Sequence, residues 1–238
     1  MDDSNSSSEK YWGQSWARHL RDYLAAPARC GMWLDSRFDL RGLSTLECAG
    51  GSCRDSRYLF NRGYACAGSD FDQKTLDYVK THFPSSDFDM SRQDAFALDC
   101  RDGQFDVVFH NGFWGYFDDE AIHRLLREQV RVARKYAVAL VHNAENPALA
   151  DRFARKSRQD DLYKIRFFSR DDMLRVVQGS GIRYKSLRLE KFGGPADLLF
   201  GLSRRMPALL PLTARLVPRL YRWQRWSTAE RVAVVIAL

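Results

Sequence analysis

Short apolar runs alternate along the chain with segments that have the periodicity of a helix. Residues 136–142 form a continuous apolar run of strand length, which is the pattern of a strand buried on both faces. After Asp118, apolar residues at 122, 125, 126 and 130 fall on one helical face. Strands that alternate with amphipathic helices predict an α/β fold, with a mostly parallel sheet covered by helices on both faces.

Turn and capping residues set the limits of these elements. Gly63 suits the position after a helix end, and Ser169 with Asp172 is typical of a capping box. The predicted strands are 44–48, 64–69, a short strand before Asp94, 104–109, 136–142, 182–189 and 231–238. The predicted helices are 11–24, 54–62, one that Asp72 caps and that runs to Phe83, one that Asp118 caps, and 169–179.

Length and composition restrict the class of protein. The chain has 238 residues, 45% of them hydrophobic and 28% charged, which suits one globular domain and excludes a collagenous or coiled-coil chain. No apolar stretch approaches the roughly 18 residues of a spanning helix. Residues 1–10 are acidic and Ser-rich, without a secretion signal, and predict a disordered tail before a single domain over 11–238. The five cysteines form no CxxC pair, which favours a reducing cytoplasm over disulfides or structural zinc.

Residues that suit ligand binding follow three of the predicted strands. The run 49–52, Ala-Gly-Gly-Ser, lets a ligand approach the backbone, and the next helix presents free N–H groups. Asp70 closes the second strand, 23 residues after Glu47, where an acid accepts hydrogen bonds from ribose hydroxyls. Asp94 follows the third strand and is placed to accept from an adenine amine. Because parallel strands end at one edge of a sheet, these residues predict a nucleoside site there.

This combination resembles the class I S-adenosylmethionine-dependent methyltransferases. The first motif of that family reads D/E-x-G-x-G-x-G, and Glu47, Ala49, Gly51 and Cys53 stand at its four named positions. The resemblance implies a Rossmann-like seven-stranded mixed sheet of order 3-2-1-4-5-7-6 and S-adenosylmethionine as cofactor. Cys53 replaces a glycine, and we expect its sulfur to lie near the methionine part of the cofactor.

The resemblance also implies where the cofactor is held. Its contacts are expected at the strand ends and in amino-terminal lid helices within 11–40, and no metal is expected. The cofactor-binding candidates are Glu47, Ala49, Gly50, Gly51, Asp70, Phe71, Asp94, Ala95, His110 and Trp12.

A dinucleotide is the alternative cofactor. Its fingerprint G-x-G-x-x-G falls on Ala49, Gly51 and Arg54 in this chain. An Arg fits poorly at the third position, where helix and strand must pack closely. The sequence therefore favours a methyl donor over NAD(P).

His110 and His142 end the fourth and fifth strands, beside the expected sulfonium. An imidazole takes up a proton near neutral pH, so each is a candidate catalytic base, although each also suits a plain hydrogen bond to a loop. Trp114 and Tyr116 are expected to wall the pocket. The run 110–113, His-Asn-Gly-Phe, lacks the prolines of the D/N/S-P-P-Y/F/W motif of nucleic-acid amine methyltransferases, so a nucleic-acid acceptor is not favoured.

The predicted activity is O- or N-methylation of a small molecule, or of a glycan or other group on a lipid carrier. A catalytically silent S-adenosylmethionine-binding interaction module is the alternative. Retention of both histidines at the expected mouth of the site favours the enzyme.

Residues 192–230 are predicted to form a helical insertion before the last strand. Residues 201–238 hold seven Arg and one acid, and so carry +6 of the net charge of +7. Two interpretations remain open. The insertion is either an amphipathic element that binds an anionic membrane surface, or a cap on the acceptor pocket whose arginines bind a soluble anionic substrate such as a nucleotide sugar. The apolar positions of the insertion at helical spacing are Leu209, Leu212, Leu216, Leu220 and Trp223.

Overall fold

A seven-stranded sheet of order β3-β2-β1-β4-β5-β7-β6 forms the centre of the computed structural model, which describes residues 19–20, 22–83 and 87–238. Only β7 is antiparallel to its neighbours. The predicted α/β class and strand order are therefore confirmed. The strands are β1 (Ser44–Glu47), β2 (Ala65–Asp70), β3 (Asp89–Arg92), β4 (Phe105–Asn111), β5 (Ala133–His142), β6 (Ser186–Phe192) and β7 (Arg231–Ala237).

Helices cover both faces of the sheet, and short 3₁₀ turns join several of them. Amphipathic sequences place their apolar sides on the strands, since burial of apolar surface is the main driving force of packing. The helices are α1 (Arg29–Arg37), α2 (Arg54–Asn61), α3 (Gln73–His82), α4 (Asp119–Val132), α5 (Pro147–Lys156), α6 (Arg170–Gly179), α7 (Leu198–Arg205) and α8 (Leu210–Leu220).

The predicted caps form the expected hydrogen bonds. Asp72 accepts from the Thr75 N–H at 3.2 Å, and Asp118 accepts from the Ala121 N–H at 2.8 Å. Ser169 completes a reciprocal capping box at the start of α6. Each of these bonds satisfies an N–H group that has no partner within its own helix.

Side chains alternate between two apolar layers on opposite faces of the central strands. One layer packs under α1 and α8, and it includes Phe109 of β4 and Val138 of β5. The other packs under α4 and α6, and it includes Ala137 of β5 and Val234 of β7. Because strand side chains alternate, these layers decide which face each residue at a strand end occupies.

The structure differs from the predicted elements in two places. The sixth strand covers Ser186–Phe192 instead of 182–189, and α5 occupies a stretch for which no element was predicted. Asn146 caps α5 and Pro147 occupies its first turn, so a start signal was present in the sequence.

The two ends of the predicted domain differ in how far the structure describes them. The predicted tail and most of the predicted first helix lie outside the described residues. The insertion between β6 and β7 is helical as predicted, and α8 packs against α1. No helix in the described part of the chain is long and apolar enough to cross a bilayer.

Asp106 of β4 ties three strands together at the edge opposite the carboxyl ends. Its buried carboxylate accepts from the Ser44 N–H at 3.1 Å and lies 2.8 Å from an Arg134 nitrogen and 3.3 Å from Lys135 Nζ. Burial raises the pKa of Asp106, but the bonds from Ser44, Arg134 and Lys135 outweigh it and hold the pKa below its ordinary value.

We expect Asp106→Ala to lower the free energy of unfolding at pH 7 by roughly 1–3 kcal/mol, the scale of lost charge-assisted hydrogen bonds. Because the folded pKa is lowered, this stabilisation is present above the unfolded pKa of about 3.9 and disappears as the pH falls through the folded value. Urea denaturation at pH 7 and at about pH 3 tests both statements. Asp102→Ala, which removes an exposed partner of Arg131, is the control and should cost less than about 1 kcal/mol. An undiminished effect of Asp106→Ala at low pH would contradict the argument.

Candidate active site

A cavity of about 740 Å³ opens at the carboxyl ends of the parallel strands. Its lining includes Glu47 at the end of β1, Asp70 at the end of β2, Asn111 at the end of β4 and His142 at the end of β5. Arg231, the first residue of β7, also lines it, because β7 is antiparallel and begins where β5 ends. Ligands of open α/β sheets bind at this edge.

The turn between β1 and α2 approaches the cavity with an unusual backbone. Ala49, Gly51 and Cys53 all have positive φ angles, of 49°, 54° and 46°. Glu47 holds the start of α2 by accepting from the Ser56 N–H at 2.8 Å and from its hydroxyl at 2.6 Å. The buried carboxylate of Glu47 thus joins the end of β1 to the start of α2 and fixes the turn between them. Ala49 and Gly50 of this turn form part of the cavity wall.

Asp70 fixes the same turn from the side. One carboxylate oxygen accepts from the Gly51 N–H at 2.7 Å, and the other accepts from the Asp72 N–H at 3.0 Å. Gly51 is buried behind the turn and does not line the cavity, so it shapes the site instead of walling it. A carboxylate has about four acceptor positions, so each oxygen of Asp70 retains capacity for a ligand.

The remaining predicted cofactor residues divide into three groups. Phe71, Asp94 and Ala95 line the cavity, and Asp94 accepts from the Phe96 N–H at 2.9 Å. Trp12 lies outside the described residues. His110 does not line the cavity.

His110 lies on the wrong face of the sheet for the predicted role. It is buried beside Trp114, with a ring-centroid distance of 4.9 Å, in a small void under α4. Neither ring nitrogen has a hydrogen-bond partner, and burial lowers its pKa to about 3. A catalytic base must reach the proton that it removes, so this placement corrects the prediction for His110. Trp114 lies in the same buried layer and does not wall the pocket, whereas Tyr116 does.

His142 faces the cavity, as predicted. Its ring packs near Phe153 and Phe167, at centroid distances of 5.0 and 5.5 Å, and its Nδ1 has no hydrogen-bond partner. Burial, and then the positive charge of Arg231, hold its pKa well below the ordinary value. The imidazole is therefore neutral at ordinary pH and retains an acceptor nitrogen.

The Cys53 sulfur points away from the cavity, contrary to expectation. Cys53 is fully buried and does not line the cavity. A Cβ placed on Gly68 of β2 would lie 2.7 Å from the sulfur, so the thiol occupies space that the missing side chain of Gly68 leaves free. Burial raises the pKa of this thiol well above its ordinary value. The third glycine of the motif is thus replaced by a residue that packs inward.

The wall near β1 holds two neighbouring carboxylates, Glu47 and Asp55, and Asp55 also lies 3.7 Å from a nitrogen of Arg54 in the same wall. Asp55 accepts from the Gly31 N–H at 2.9 Å and from the Asn111 amide at 3.2 Å, and it lines the cavity with Glu47. Burial, and then the neighbouring Asp55, raise the pKa of Glu47. Burial likewise raises the pKa of Asp70. A cationic ligand would relieve this repulsion, and S-adenosylmethionine, with its sulfonium and ammonium groups, fits such a wall.

Several cavity residues had no place in the sequence interpretation. Asn111, Tyr23, Arg29 and Arg231 line the cavity, together with a wall of aromatic rings of which only Tyr116 was predicted. For Arg231 the only signal was its position, as the residue that begins the last predicted strand. The aromatic residues of this wall are Phe113, Tyr116, Phe117, Phe153 and Tyr163.

Known proteins resemble this chain in fold and, over part of its length, in sequence. Residues 46–141 match the family model described as a methyltransferase domain. A methyltransferase from Thermotoga maritima, described as a possible histamine N-methyltransferase, has a TM-score of 0.62 at 13% identity, over 94% of this chain and 98% of that one. The magnesium protoporphyrin IX methyltransferase of Synechocystis PCC 6803, solved with bound S-adenosylhomocysteine, has a TM-score of 0.55 at 10% identity, over 98% and 95%.

A third similar structure is the geranyl diphosphate C-methyltransferase of Streptomyces coelicolor, solved with Mg²⁺, geranyl diphosphate and S-adenosylhomocysteine. Its TM-score is 0.51 at 13% identity, over 82% of this chain and 70% of that one. Among the curated proteins, none matches this sequence. At these identities the structural likeness shows the fold, and the family model shows the kind of domain.

Proposed function

We propose that the chain is a class I S-adenosylmethionine-dependent methyltransferase and that it methylates a small organic acceptor inside the cavity. The observation that carries the proposal is the cavity itself. It continues from the carboxylates after β1 and β2 to His142 after β5, and its volume of about 740 Å³ suits two small ligands side by side. The cofactor supplies an electrophilic methyl group when it is bound.

The residues that line the cavity fall into a cofactor-binding group and an acceptor-binding group. Asp70 is proposed to bind the ribose and Asp94 the adenine, while Ala49 and Gly50 let the backbone approach the cofactor. Glu47 and Asp55 provide negative charge for the cationic part of the cofactor. The acceptor side consists of His142 and the aromatic wall, which exclude water and hold the acceptor close to the donor.

O-methylation is the reaction that His142 favours. Its ring lines the cavity and is neutral, so it has a nitrogen that can accept a proton, as removal of a proton from a hydroxyl requires. The ring is held by its neighbours Phe153 and Phe167, so its position is set before the acceptor binds. Asn111 lies on the same face of the sheet at the end of β4 and fixes the other side of the acceptor region through its bond to Asp55.

The insertion before β7 is proposed to bring the site to an anionic membrane surface, from which a lipid-linked or amphiphilic acceptor would enter. Large apolar side chains are exposed along it: Leu198 is 81% exposed, Trp223 77% and Leu212 60%. Among the described residues, no carboxylate pairs with Arg215 or Arg219 on the exposed side of α8. Apolar side chains flanked by unpaired cations match the chemistry of an anionic bilayer.

The same insertion borders the cavity. Leu198, Gly201 and Arg204 of α7 line it, and α8 packs against α7. An acceptor held in a bilayer under α7 and α8 would therefore meet the mouth of the cavity directly. The alternative is a cap that covers the pocket without touching lipid.

Asp70→Ala is expected to weaken binding of S-adenosylhomocysteine by roughly 1–3 kcal/mol, since it removes charge-assisted hydrogen bonds and loosens the turn that Gly51 begins. Isothermal titration calorimetry measures the effect. Asp99→Ala is the matched control, because Asp99 is exposed and lies outside the cavity. Equal affinity for the wild type and Asp70→Ala would contradict the proposed ribose contact. Tight NAD binding without S-adenosylhomocysteine binding would contradict the proposed function.

His142→Gln is expected to reduce turnover by about 10²- to 10⁴-fold, with S-adenosylhomocysteine affinity unchanged, because a general base typically contributes that factor. Since its pKa lies well below the ordinary value, His142 stays unprotonated as the pH falls, and the wild-type rate should show no loss with a midpoint near 6.5. Release of S-adenosylhomocysteine with any acceptor that the wild type uses gives the rate. His82→Ala, at the exposed end of α3, is the control. Full turnover by His142→Gln would leave proximity as the source of catalysis.

Co-sedimentation with vesicles tests the membrane proposal. We expect binding at low salt to vesicles that contain phosphatidylserine, and no binding to phosphatidylcholine alone. The double variant Arg215→Glu/Arg219→Glu should bind roughly 30-fold more weakly, from about 1 kcal/mol for each basic residue lost. Arg183→Glu/Arg188→Glu makes the same change of charge at exposed positions outside the insertion and should bind as the wild type does. Absence of binding at low salt would favour the cap.

A further inference from the structure

Arg231 is a partly buried cation in an unusual environment. It begins β7, pairs with His142 in the antiparallel register, and lines the cavity. Its Nη1 is buried and has no hydrogen-bond partner, and no ion pair to Arg231 exists among the described residues. An unpaired buried charge is expensive to keep, so a site that retains one has a use for it.

The nearby carboxylates are engaged elsewhere. Glu230 accepts from Arg29 at 3.0 Å and from Arg152 at 3.1 Å, and Asp197 pairs with Arg29. Two carboxylates are thus shared by two other arginines. Among the described residues, none of these carboxylates forms an ion pair with Arg231 beside His142, and Glu230 offsets its charge only from a longer distance.

Gly112 makes room for the guanidinium at the end of β4. A Cβ placed on Gly112 would lie 2.5 Å from Arg231 Nη1 and 3.4 Å from a carbon of the His142 ring. Gly112 also has a φ angle of +89°, which other residues rarely adopt. The absence of a side chain at this position therefore lets Arg231 reach across β5 to the end of β4, into the acceptor region.

Charge is distributed unevenly along the cavity. Glu47 and Asp70 close β1 and β2, Asp55 lies in the first turn of α2 beside Arg54, and Arg231 begins β7 beside Arg29. The strands of Asp70 and Arg231 are four spacings apart, roughly 19 Å at about 4.8 Å for each spacing, and the Arg231 side chain shortens the distance between the charges because it reaches back to the end of β4. The negative end suits a cationic donor, and the positive end suits a ligand of the opposite charge.

We propose that the methyl acceptor carries an oxyanion, a carboxylate or a phosphate ester, which the Arg231 guanidinium binds. The inference rests on the proposed function, since it assigns a chemical class to the acceptor of the same site. The planar guanidinium matches either oxyanion with two parallel hydrogen bonds. The aromatic wall of Phe113, Phe153 and Tyr163 surrounds the rest of the acceptor, so its body is apolar.

A purely structural role for Arg231 makes a different prediction. A structural arginine stabilises the fold through its partners, and its removal lowers stability. Arg231 has no such partners, so Arg231→Gln should leave the melting temperature unchanged or raise it in the absence of ligand.

The experiment uses three probes of the same shape on the full chain saturated with S-adenosylhomocysteine. Benzoate and phenyl phosphate carry the two oxyanions, and benzamide is the neutral analogue. Calorimetry should detect at least one of the anions on the wild type and much weaker binding of benzamide. Arg231→Gln should weaken anion binding by about 10- to 100-fold, the scale of charge-assisted hydrogen bonds, and Arg231→Lys should restore part of it. Arg188→Gln, an exposed arginine on β6 outside the cavity, is the control.

Each outcome decides one point. Preference for benzoate or for phenyl phosphate identifies the oxyanion. Equal binding of benzamide, or anion binding that is independent of Arg231, overturns the inference and leaves the proposed function standing if S-adenosylhomocysteine still binds. Anion binding that appears only without S-adenosylhomocysteine would assign Arg231 to the carboxylate of the cofactor and overturn its role toward the acceptor. Failure of S-adenosylhomocysteine to bind at all contradicts the proposed function itself.

Discussion

The site depends on one constraint of topology, the parallel pairing of β1 with both β2 and β4. From β1 the chain continues to β2 on one side, and it later returns to form β4 on the other side of β1. The connections that follow β1 and β4 therefore run in opposite directions along the sheet. A crevice must remain between them at the carboxyl ends of the strands. Every residue proposed to act lies at this crevice, and the buried bonds of Glu47 and Asp70 hold its first wall in place.

The electrostatics of the crevice follow from burial with incomplete compensation, since Asp55 pairs with Arg54 whereas Arg231 has no ion pair among the described residues. Glu47 and Asp55 lie together in a region where the repulsion of two carboxylates is poorly screened. At the opposite end, Arg231 lies beside Arg29 and a neutral histidine, and burial lowers the pKa of Arg231. Neither arrangement stabilises the protein alone. Both lower the cost of bringing charged ligands of defined sign out of water, which is how a preorganised site gains selectivity.

The fold was predictable because its signals are local. Caps at Asp72, Asp118 and Ser169 and the apolar run of β5 each depend on a few neighbouring residues, and the structure contains all of them. The cofactor-binding candidates could be predicted from the sequence for a related reason, since Glu47 and Asp70 end successive strands at a characteristic distance along the chain. No local feature of the sequence, however, distinguishes the two faces of the sheet at a strand end.

The two histidines at the ends of β4 and β5 show why the face of the sheet could not be predicted. His110 and His142 are equivalent in sequence, as histidines that close apolar strands. Side chains alternate, so His110 shares a face with Val108, toward α4, while His142 shares a face with Val138 and Leu140, toward α1 and α8. The crevice opens on the face toward α1 and α8, so His142 lines it and His110 does not. Arg231 follows the same rule, because its alternate neighbours Ala233 and Val235 belong to that layer.

The two proposals about the acceptor meet at α7. One side of this helix lines the cavity through Leu198, Gly201 and Arg204, while Leu202, which is 46% exposed, faces solvent with the apolar side chains of α8. A molecule with an apolar body and an anionic head group is concentrated at bilayer surfaces, and the same two features match the aromatic wall and Arg231. The membrane contact and the anion contact nevertheless rest on different residues. A soluble anionic acceptor would still bind Arg231 but would not require a membrane contact at α8. A neutral lipid acceptor would still require the contact at α8 but would not bind Arg231 through an oxyanion.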